Sequence, residues 1–266
     1  MSDKNTPKHI NLLDAFLDKD LSRDSKIWRY MSLEKLEKIL ESHCLYFASA
    51  EQFVGNDDHE GAITEAEYEQ RKESFKKIYT DTEELSSRMA QLEKAFKPLR
   101  EYNKINCWHL NEHENFAMWS YYQGKNKGIA IESTINKIVS NLGEYKIKEG
   151  YGFETIHVGK VNYIRYETDN MDAKYGFLTP YFYKRINYQY ESEIRFVISL
   201  RLAVEYGVEI PKAGINVPFN FNGGVSRIIT SPRADEGDLN LVTELLKKYK
   251  CGVKVEQSTL SKKPRF

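Results

Sequence analysis

The sequence has few of the residues that break or cross-link a chain. Its 266 residues include 15 glycines, 7 prolines and 3 cysteines. Cys44, Cys107 and Cys251 are odd in number, lie far apart and form no CxxC pair, which argues against a disulfide framework and favours a reducing compartment. No apolar run approaches the ~18 residues that a membrane-spanning helix needs, and the charged N-terminal segment lacks the apolar stretch of a signal peptide. We therefore expect a soluble, cytoplasmic protein with no membrane partner.

The chain also lacks a surplus of either charge. It carries 39 basic and 39 acidic side chains, so its formal net charge is zero. A protein that binds nucleic acid over much of its surface usually has an excess of Lys and Arg, and this class is therefore disfavoured, although a local basic patch is compatible with a zero sum. Apolar residues make up 41% of the chain, which provides a core and excludes disorder for most of it.

Hydrophobic periodicity predicts an α+β fold with a mixed or split β-sheet core and flanking helices. Residues 1–25 are predicted to form an N-terminal helix, and residues 26–266 a single domain that opens with a strand–helix–strand unit. The predicted strands are 26–31, 45–49, 105–110, 128–132, 157–163, 191–200, 225–231 and 252–257. The predicted helices of the domain are 33–40, 116–123, 135–142, an aromatic-rich segment at 175–188, and 239–249.

A long helical insertion is predicted at 60–104. Its apolar positions step by three and four residues, as in a coiled-coil seam with one polar member. Pro98, near the end, is expected to stop or kink the helix. Two interpretations remain open: a helical insertion that packs on its own domain, or an arm over 75–99 that pairs with a second subunit in a homodimer. The seam positions are Phe75, Ile78, Thr82, Leu85, Met89, Leu92, Phe96 and Leu99.

The segment Tyr190–Ile198 is the most informative for chemistry. Alternation along a strand places Glu191, Glu193 and Arg195 on one face. The opposite face is predicted to be core, and its members are Tyr190, Ile194, Phe196 and Ile198. Two carboxylates about 7 Å apart repel each other and raise their pKa unless Arg195 offsets the repulsion. Such a pair suits a site where a carboxylate must face a developing positive charge, and the alternative is a salt-bridged, solvated sheet face.

Arg29 lies between two aromatic residues, Trp28 and Tyr30, on the first predicted strand of the domain. Alternation directs it away from both, toward a cleft or toward solvent. Arginine suits phosphate or ribose recognition because its planar fork makes paired hydrogen bonds. A surface arginine stacked on a tyrosine is the alternative.

Three further groups have both a structural and a functional interpretation. Trp119 and Tyr122 share a helix face and either pack in the core or stack on a ligand. The interleaved basic and aromatic residues of 174–190 suit base stacking or a core helix with its cations outside. The cluster Asp57, Asp58, His59 and Glu60 could bind a divalent cation but more often forms a turn before a helix. No metal is expected there, nor at the C-x-H-x₃-H run of Cys107, because its spacing is not that of a standard zinc site.

These elements, taken in order, resemble the pattern of mono-ADP-ribosyltransferases. That pattern has an arginine on a first strand, a helix, a strand with a serine, and a distant Glu-x-Glu that leads into a strand. The matching residues here are Arg29, Ser49, Glu191 and Glu193; Ser49 stands without the Ser-Thr-Ser run of that family. The chain over 26–260 also resembles a widespread prokaryotic family of unassigned function. The motifs that carry this second resemblance are W-R-Y-M-S, F-A-S-A-E-Q-F-V with N-D-D-H-E-G, N-C-W-H-L, M-W-S-Y-Y before G-I-A-I-E, and Y-E-S-E-I-R-F-V-I.

The transferase resemblance implies NAD as a substrate. Glu193 would stabilise the ribosyl cation, Glu191 would orient or deprotonate the acceptor, and Arg29 would hold a phosphate or ribose. Ser49 and Arg195 would support the site, and Trp119 or Tyr122 would stack on nicotinamide. The implied activity is transfer of ADP-ribose to a protein or nucleic-acid acceptor, or hydrolysis of NAD, in bacterial antiviral defence or as a toxin. Two alternatives remain: a non-catalytic dimeric module that binds nucleotide or RNA, and a metal-dependent nuclease or hydrolase at Asp57–Glu60.

Overall fold

The computed structural model describes residues 15–19, 21–53, 55, 57–122, 128–151 and 154–262. Within these residues the chain forms strands and α-helices, joined by several short 3-10 turns. The strands are β1 (Ala15–Leu17), β2 (Lys26–Met31), β3 (Cys44–Ser49), β4 (Asn103–Leu110), β5 (Ile129–Thr134), β6 (Ile156–Lys160), β7 (Asn162–Ile164), β8 (Tyr183–Arg185), β9 (Glu193–Ser199), β10 (Gly214–Pro218), β11 (Arg227–Thr230) and β12 (Val255–Gln257). The α-helices are α1 (Leu33–Ser42), α2 (Glu65–Lys76), α3 (Thr82–Phe96), α4 (Leu99–Tyr102), α5 (Phe116–Tyr122), α6 (Ile135–Asn141), α7 (Arg201–Glu205), α8 (Phe221–Gly224) and α9 (Glu236–Lys248).

In the described part of the chain ten strands form one mixed sheet, which confirms the predicted α+β class. The main path runs β1-β6-β9-β4-β2-β5-β11-β12, with parallel pairing at β1–β6 and β11–β12 and antiparallel pairing elsewhere. β3 and β10 lie off this path, since β3 pairs with both β4 and β10. A separate parallel pair joins β7 and β8.

The sheet splits along one edge of β4. The end of β4 at Leu110 and His109 pairs with β2, whereas the end at Lys104 and Ile105 pairs with β3. The three residues between them, 106–108, pair with neither strand on that edge, while on the other edge β4 pairs with β9 along its length. β2 and β3 therefore diverge into two wings with a gap between them.

The main core lies on the sheet face that α1, α6 and α9 cover. α1 follows from a stripe of Leu36, Ile39 and Leu40, which are buried against this face. On β9, Ile194, Phe196 and Ile198 point into the same core, as alternation predicts. The opposite face of β9 is covered by a second, aromatic cluster that includes Tyr181 and Phe182.

The insertion forms three helices instead of one seam. The helical run stops after α2, and Asp81 starts α3 by accepting hydrogen bonds from the amides of Glu83 and Glu84. α2 and α3 contact each other within the chain: Tyr68 Oη donates to Glu93 Oε1 at 3.3 Å, and Arg71 stacks on Phe96. A continuous seam was therefore the wrong expectation, and Pro98 caps the following short helix, α4. A homodimer through 75–99 stays a prediction.

Three other expectations need correction. The predicted N-terminal helix is wrong at Ala15–Leu17, because these residues form a strand that pairs in parallel with β6; residues 1–14 lie outside the described part. The predicted helix at 175–188 is replaced by 3-10 turns around β8, with Pro180 inside the first of them. Strand β10 was not predicted, since its few alternating residues stand between a glycine and a proline.

No helix in the described ranges is both long enough and apolar enough to span a bilayer.

A substitution at Gly61 tests how closely the turn before α2 approaches the aromatic cluster of Tyr181 and Phe182. Its φ is +72°, and an added Cβ would lie 2.6 Å from Cε1 of Tyr181. We expect Gly61→Ala to lower the free energy of unfolding by about 2–4 kcal/mol, from backbone strain and overpacking together. Gly55→Ala is the control, because Gly55 also has a positive φ, +88°, but its Cβ would meet nothing within 4 Å. Urea denaturation measures both variants, and equal losses would contradict the close approach.

Candidate functional site

A cavity of about 1070 Å³ occupies the gap between the two wings of the sheet. It is lined by β2, α1, β3, β4 and β9, together with residues between β8 and β9. Sites for small molecules usually measure about 300–1,000 Å³. The cavity is therefore large enough for a ligand of dinucleotide size.

Arg29 enters this cavity from β2. Ile27 and Met31, its neighbours two residues away on either side, are buried in the core under α1, so alternation directs Arg29 to the same face. Its guanidinium carbon lies 5.7 Å from the ring centroid of Trp108. Its Nη1 atom is buried and has no hydrogen-bond partner within the described residues. Burial lowers the pKa of Arg29 to about 10, so the group stays charged at neutral pH and is available to an anion.

Glu193 lies on the opposite face, between two cations. Its Oε2 accepts a hydrogen bond from Arg195 Nε at 2.8 Å, and its Oε1 accepts one from Lys184 Nζ at 2.9 Å. Burial by itself raises the pKa of a carboxyl group, but the charges of Arg195 and Lys184 outweigh it and hold the pKa of Glu193 well below its usual range. Glu193 is therefore ionised.

Arg195 is only 1% exposed and also binds Glu60 through two parallel hydrogen bonds. The Nη1–Oε1 distance is 2.5 Å and the Nη2–Oε2 distance is 2.9 Å. Nη1 also donates to the carbonyl oxygen of Tyr181 at 2.8 Å. These contacts use four of the five N–H groups of the guanidinium, so its role is to fix Glu193 and Glu60.

Glu191 completes the pair of carboxylates. Its Oε1 accepts from Tyr122 Oη at 2.9 Å, and its Oε2 accepts from Lys184 Nζ at 2.6 Å. Burial, together with the hydrogen bond to Glu193 and the charge of that residue, raises the pKa of Glu191 to about 7, against the opposing effect of Lys184. Burial and the charge of Glu191 also raise the pKa of Tyr122, which keeps this hydroxyl a donor.

A backbone kink brings the two glutamates together. Glu191 ends a 3-10 turn, Glu193 begins β9, and Ser192 between them has a left-handed φ of 39°. The prediction that Glu191 shares a strand face with Glu193 is therefore wrong, because Glu191 precedes the strand. The two carboxylates meet through the turn at Ser192 instead. The same kink leaves Tyr190 41% exposed instead of in the core. His109 Nδ1 lies 2.5 Å from the carbonyl oxygen of Glu191 and helps to hold the turn.

The cavity passes through the sheet from one face to the other. Arg29 lies on the face that carries α1, whereas Glu193 and Arg195 alternate away from that core on β9. Trp28 pairs with His109, and His109 pairs with Glu193, so the Cα atoms of Trp28 and Glu193 are two strand spacings apart, roughly 10 Å. The structure thus brings Arg29, Glu191 and Glu193 to one cavity.

Tyr122 and Arg195 also line the cavity, but the other two predicted binding residues do not. Ser49 is buried, and its hydroxyl donates to the carbonyl oxygen of Arg100 at 2.8 Å. Trp119 packs edge-on against Tyr30 with a centroid distance of 5.0 Å, and its Nε1 donates to Glu114. The prediction that Ser49 and Trp119 contact a ligand is therefore replaced by a structural role for both side chains.

The acidic cluster at 57–60 divides between the turn and the site. Asp58 accepts from the amide of Gly55 at 2.7 Å, Asp57 lies 3.5 Å from Arg185, and Glu60 binds Arg195. Among the described residues no group of three or more His, Cys, Asp or Glu side chains is arranged to hold a metal ion. That no metal takes part stays a prediction.

Sequence reasoning did not assign Lys184 and Glu60 to the carboxylate pair. Lys184 had been noted only among the basic and aromatic residues of 174–190, and Glu60 only as a candidate metal ligand. Part of the signal was present, since two carboxylates beside one arginine require a second cation if all three are buried and ionised. The spacing along the chain does not show which cation that is.

Comparison of the chain with protein-family models, with curated proteins and with solved structures found no match. The resemblance to ADP-ribosyltransferases thus has no support from a neighbour, and function is argued from the site alone.

The raised pKa of Glu191 predicts how stability changes with pH. The folded state holds the proton of Glu191 more tightly than the unfolded chain does, and this difference stabilises the fold. The stabilisation has its full value below the usual pKa of 4.5 and is lost as the pH rises through about 7. The variant Glu191→Gln is neutral throughout. We therefore expect its Tm minus that of the wild type to increase from pH 5 to pH 8 in thermal unfolding.

The exposed Glu149, which does not line the cavity, provides the control variant Glu149→Gln for the chemical change itself. A Tm difference for Glu191→Gln that is the same at both pH values would contradict the assignment of the proton to Glu191.

Proposed function

We propose that the chain binds NAD in the split cavity and breaks the bond between nicotinamide and ribose, passing ADP-ribose to an acceptor or to water. The observation that carries this proposal is one cavity with an unpaired, half-buried arginine at one face and two paired carboxylates at the other. NAD has the complementary charges, an anionic diphosphate and a cationic nicotinamide ring.

The arginine end favours a phosphate group. A guanidinium with a buried, unbonded N–H loses the hydration of that atom without compensation, and a phosphate oxygen would restore the hydrogen bond. The ring of Trp108 lies within cation–π distance of the Arg29 guanidinium carbon, at 5.7 Å. Arg29 and Glu193 point to opposite faces of the sheet, and the strands that carry them, β2 and β9, are two strand spacings apart, roughly 10 Å, a distance that an extended dinucleotide bridges.

The carboxylate end suits cleavage of an N-glycosidic bond. When this bond breaks, its electron pair leaves with nicotinamide as a neutral pyridine, and positive charge develops on the ribose as an oxocarbenium ion. The ionised Glu193, held in place by Arg195 and Lys184, would stabilise that charge without reorganising. The acceptor then bonds to the ribose carbon, and Glu191, with a pKa of about 7, would take the acceptor's proton.

The fold is compatible with an ADP-ribosyltransferase-like arrangement. An arginine on the first strand of a strand–helix–strand unit and a Glu-x-Glu that leads into a later strand occur in the expected order. This correspondence supports the proposal through the positions of Arg29, Glu191 and Glu193, and Ser49 contributes nothing to it.

A second candidate is a nucleotide-binding module without catalysis. It is favoured by one specific observation: both oxygens of Glu193 already accept hydrogen bonds from cations, which weakens the field that the carboxylate offers to a ligand. Such a module would bind NAD and leave it intact, so binding measured together with nicotinamide release separates the two candidates.

The first activity test is nicotinamide release from NAD by the purified protein, with water and with protein or nucleic-acid acceptors. We expect Glu193→Gln to reduce the rate by about 10²–10³-fold, as removal of a preorganised charge at a transition state typically does. Glu149→Gln is the control and should keep the wild-type rate. Circular dichroism verifies the fold of both variants, and equal release by Glu193→Gln and the wild type would refute the role of Glu193.

Arg29→Met tests whether the arginine strengthens NAD binding while it lowers the free energy of unfolding. Removing an unpaired, partly buried cation should raise the free energy of unfolding by about 1 kcal/mol, while NAD affinity should fall by about tenfold or more. The measurements are urea denaturation and isothermal titration calorimetry. The exposed Arg233→Met controls for the loss of charge. A less stable variant with unchanged NAD affinity would show that Arg29 has only a structural role.

A further inference from the structure

Helix α1 presents two lysines to the cavity beside Arg29. Lys35 and Lys38 are three residues apart, which places them on one side of the helix, and both line the cavity. Both are exposed, and neither forms an ion pair within the described ranges. The glutamate between them, Glu37, is bound to Lys248 at 2.8 Å and so does not neutralise them.

The α1 end of the cavity therefore has an excess of positive charge. Its charged lining groups are Arg29, Lys35 and Lys38 against a single carboxylate, Glu41, which leaves a net charge of two positive units. At the other end the cations Lys184 and Arg195 are already paired with Glu191, Glu193 and Glu60. Among the described residues that line the cavity, the cations without an acidic partner therefore lie at the α1 end.

We infer that Arg29, Lys35 and Lys38 form a subsite for an organic diphosphate at the α1 face of the cavity. This inference rests on the proposed function in identifying the ligand as a nucleoside diphosphate, and it adds two binding residues and an orientation. The diphosphate of a dinucleotide, esterified at both ends, carries two negative charges, which match the surplus at this end. Arg29 donates its buried Nη1–H, while the two flexible lysines act as point charges at the mouth.

The subsite also fixes the direction of the ligand. With its diphosphate on the α1 face, the ligand reaches the carboxylate pair only through the gap where residues 106–108 of β4 have no partner strand on one edge. The ribose that carries the reacting carbon then lies on the Glu193 face. The acceptor must approach from that face, opposite α1.

The test uses ADP as the probe and isothermal titration calorimetry with the full chain. We expect the double variant Lys35→Ala/Lys38→Ala to bind ADP at least tenfold more weakly than the wild type, whereas the affinity for adenosine, which has no phosphate, changes less than twofold. The matched control is Lys94→Ala/Lys97→Ala, two exposed lysines with the same spacing that do not line the cavity. It should bind ADP as the wild type does.

The result separates this inference from the proposed function. ADP binding that depends on Lys35 and Lys38, without nicotinamide release from NAD, would support the subsite and refute the NAD chemistry. ADP affinity within twofold of the wild type in the α1 double variant would overturn the subsite, even if NAD is cleaved. Failure of the wild type to bind ADP at millimolar concentration would also overturn it.

Discussion

Beside β9, the cavity is lined by a connected group of three buried carboxylates and two cations. A buried charge is tolerated only when it is paired, and Glu60, Glu191 and Glu193 share Lys184 and Arg195. One proton balances this group of five. Burial raises the pKa of both Glu191 and Glu60, while the cations keep Glu193 ionised. Because Glu60 forms a bidentate ion pair with Arg195, whereas Glu191 is bound by a neutral hydroxyl and the shared Lys184, we assign the proton to Glu191. Loss of that proton near neutral pH leaves one net negative charge beside the cavity, where a cationic ligand or transition state can use it.

The same group connects the helical insertion to the sheet. Glu60 precedes the turn at Gly61, whose positive φ and close approach to Tyr181 direct the chain toward α2. Thr64 then starts α2 with reciprocal hydrogen bonds to Glu67. At the other end of the insertion, the guanidinium of Arg100 donates to the carbonyl oxygen of Asp58. Both ends of the insertion are therefore fixed beside the carboxylates. This holds whether α2 and α3 pack within the chain or contact a second subunit.

Much of the fold could be predicted from local patterns, and the failures have physical causes. The apolar alternation of β9 and the stripe of α1 are set by burial, so the predicted helix 33–40 and the predicted strand 191–200 are close to the observed elements. The heptad positions at 75–99 satisfy the spacing of one helix, but the capping side chain of Asp81 divides them. In 175–188, aromatic residues with suitable spacing form turns, because tertiary packing of Tyr181 and Phe182 overrides the weak preference for a helix.

For the candidate site, the sequence identified Arg29, Glu191, Glu193 and Arg195 but not Lys184 or Glu60 as members of the charged group. Glu193 and Arg195 follow from strand alternation, whereas Glu191 reaches the site through the left-handed Ser192, which no periodicity indicates. Glu60 reaches the site from 135 residues away along the chain. Lys184 is only seven and nine residues from the two glutamates, and the turns between β8 and β9, which no periodicity indicates, bring it to them.

The gap in the sheet is itself stabilised by side chains. Where β4 loses its partner strands on one edge, Asn106 Nδ2 donates to the carbonyl oxygen of Tyr46 on β3 at 2.9 Å, and Trp108 Nε1 donates to Asn106 Oδ1 at 2.6 Å. The side-chain amide of Asn106 and the indole of Trp108 thus replace part of the backbone hydrogen bonding that is lost where the strands diverge. Buried polar groups that would otherwise lack a partner are satisfied in this way. Because Trp108 also supports the guanidinium of Arg29, one short run on β4 holds the gap open and positions the cation that faces into it.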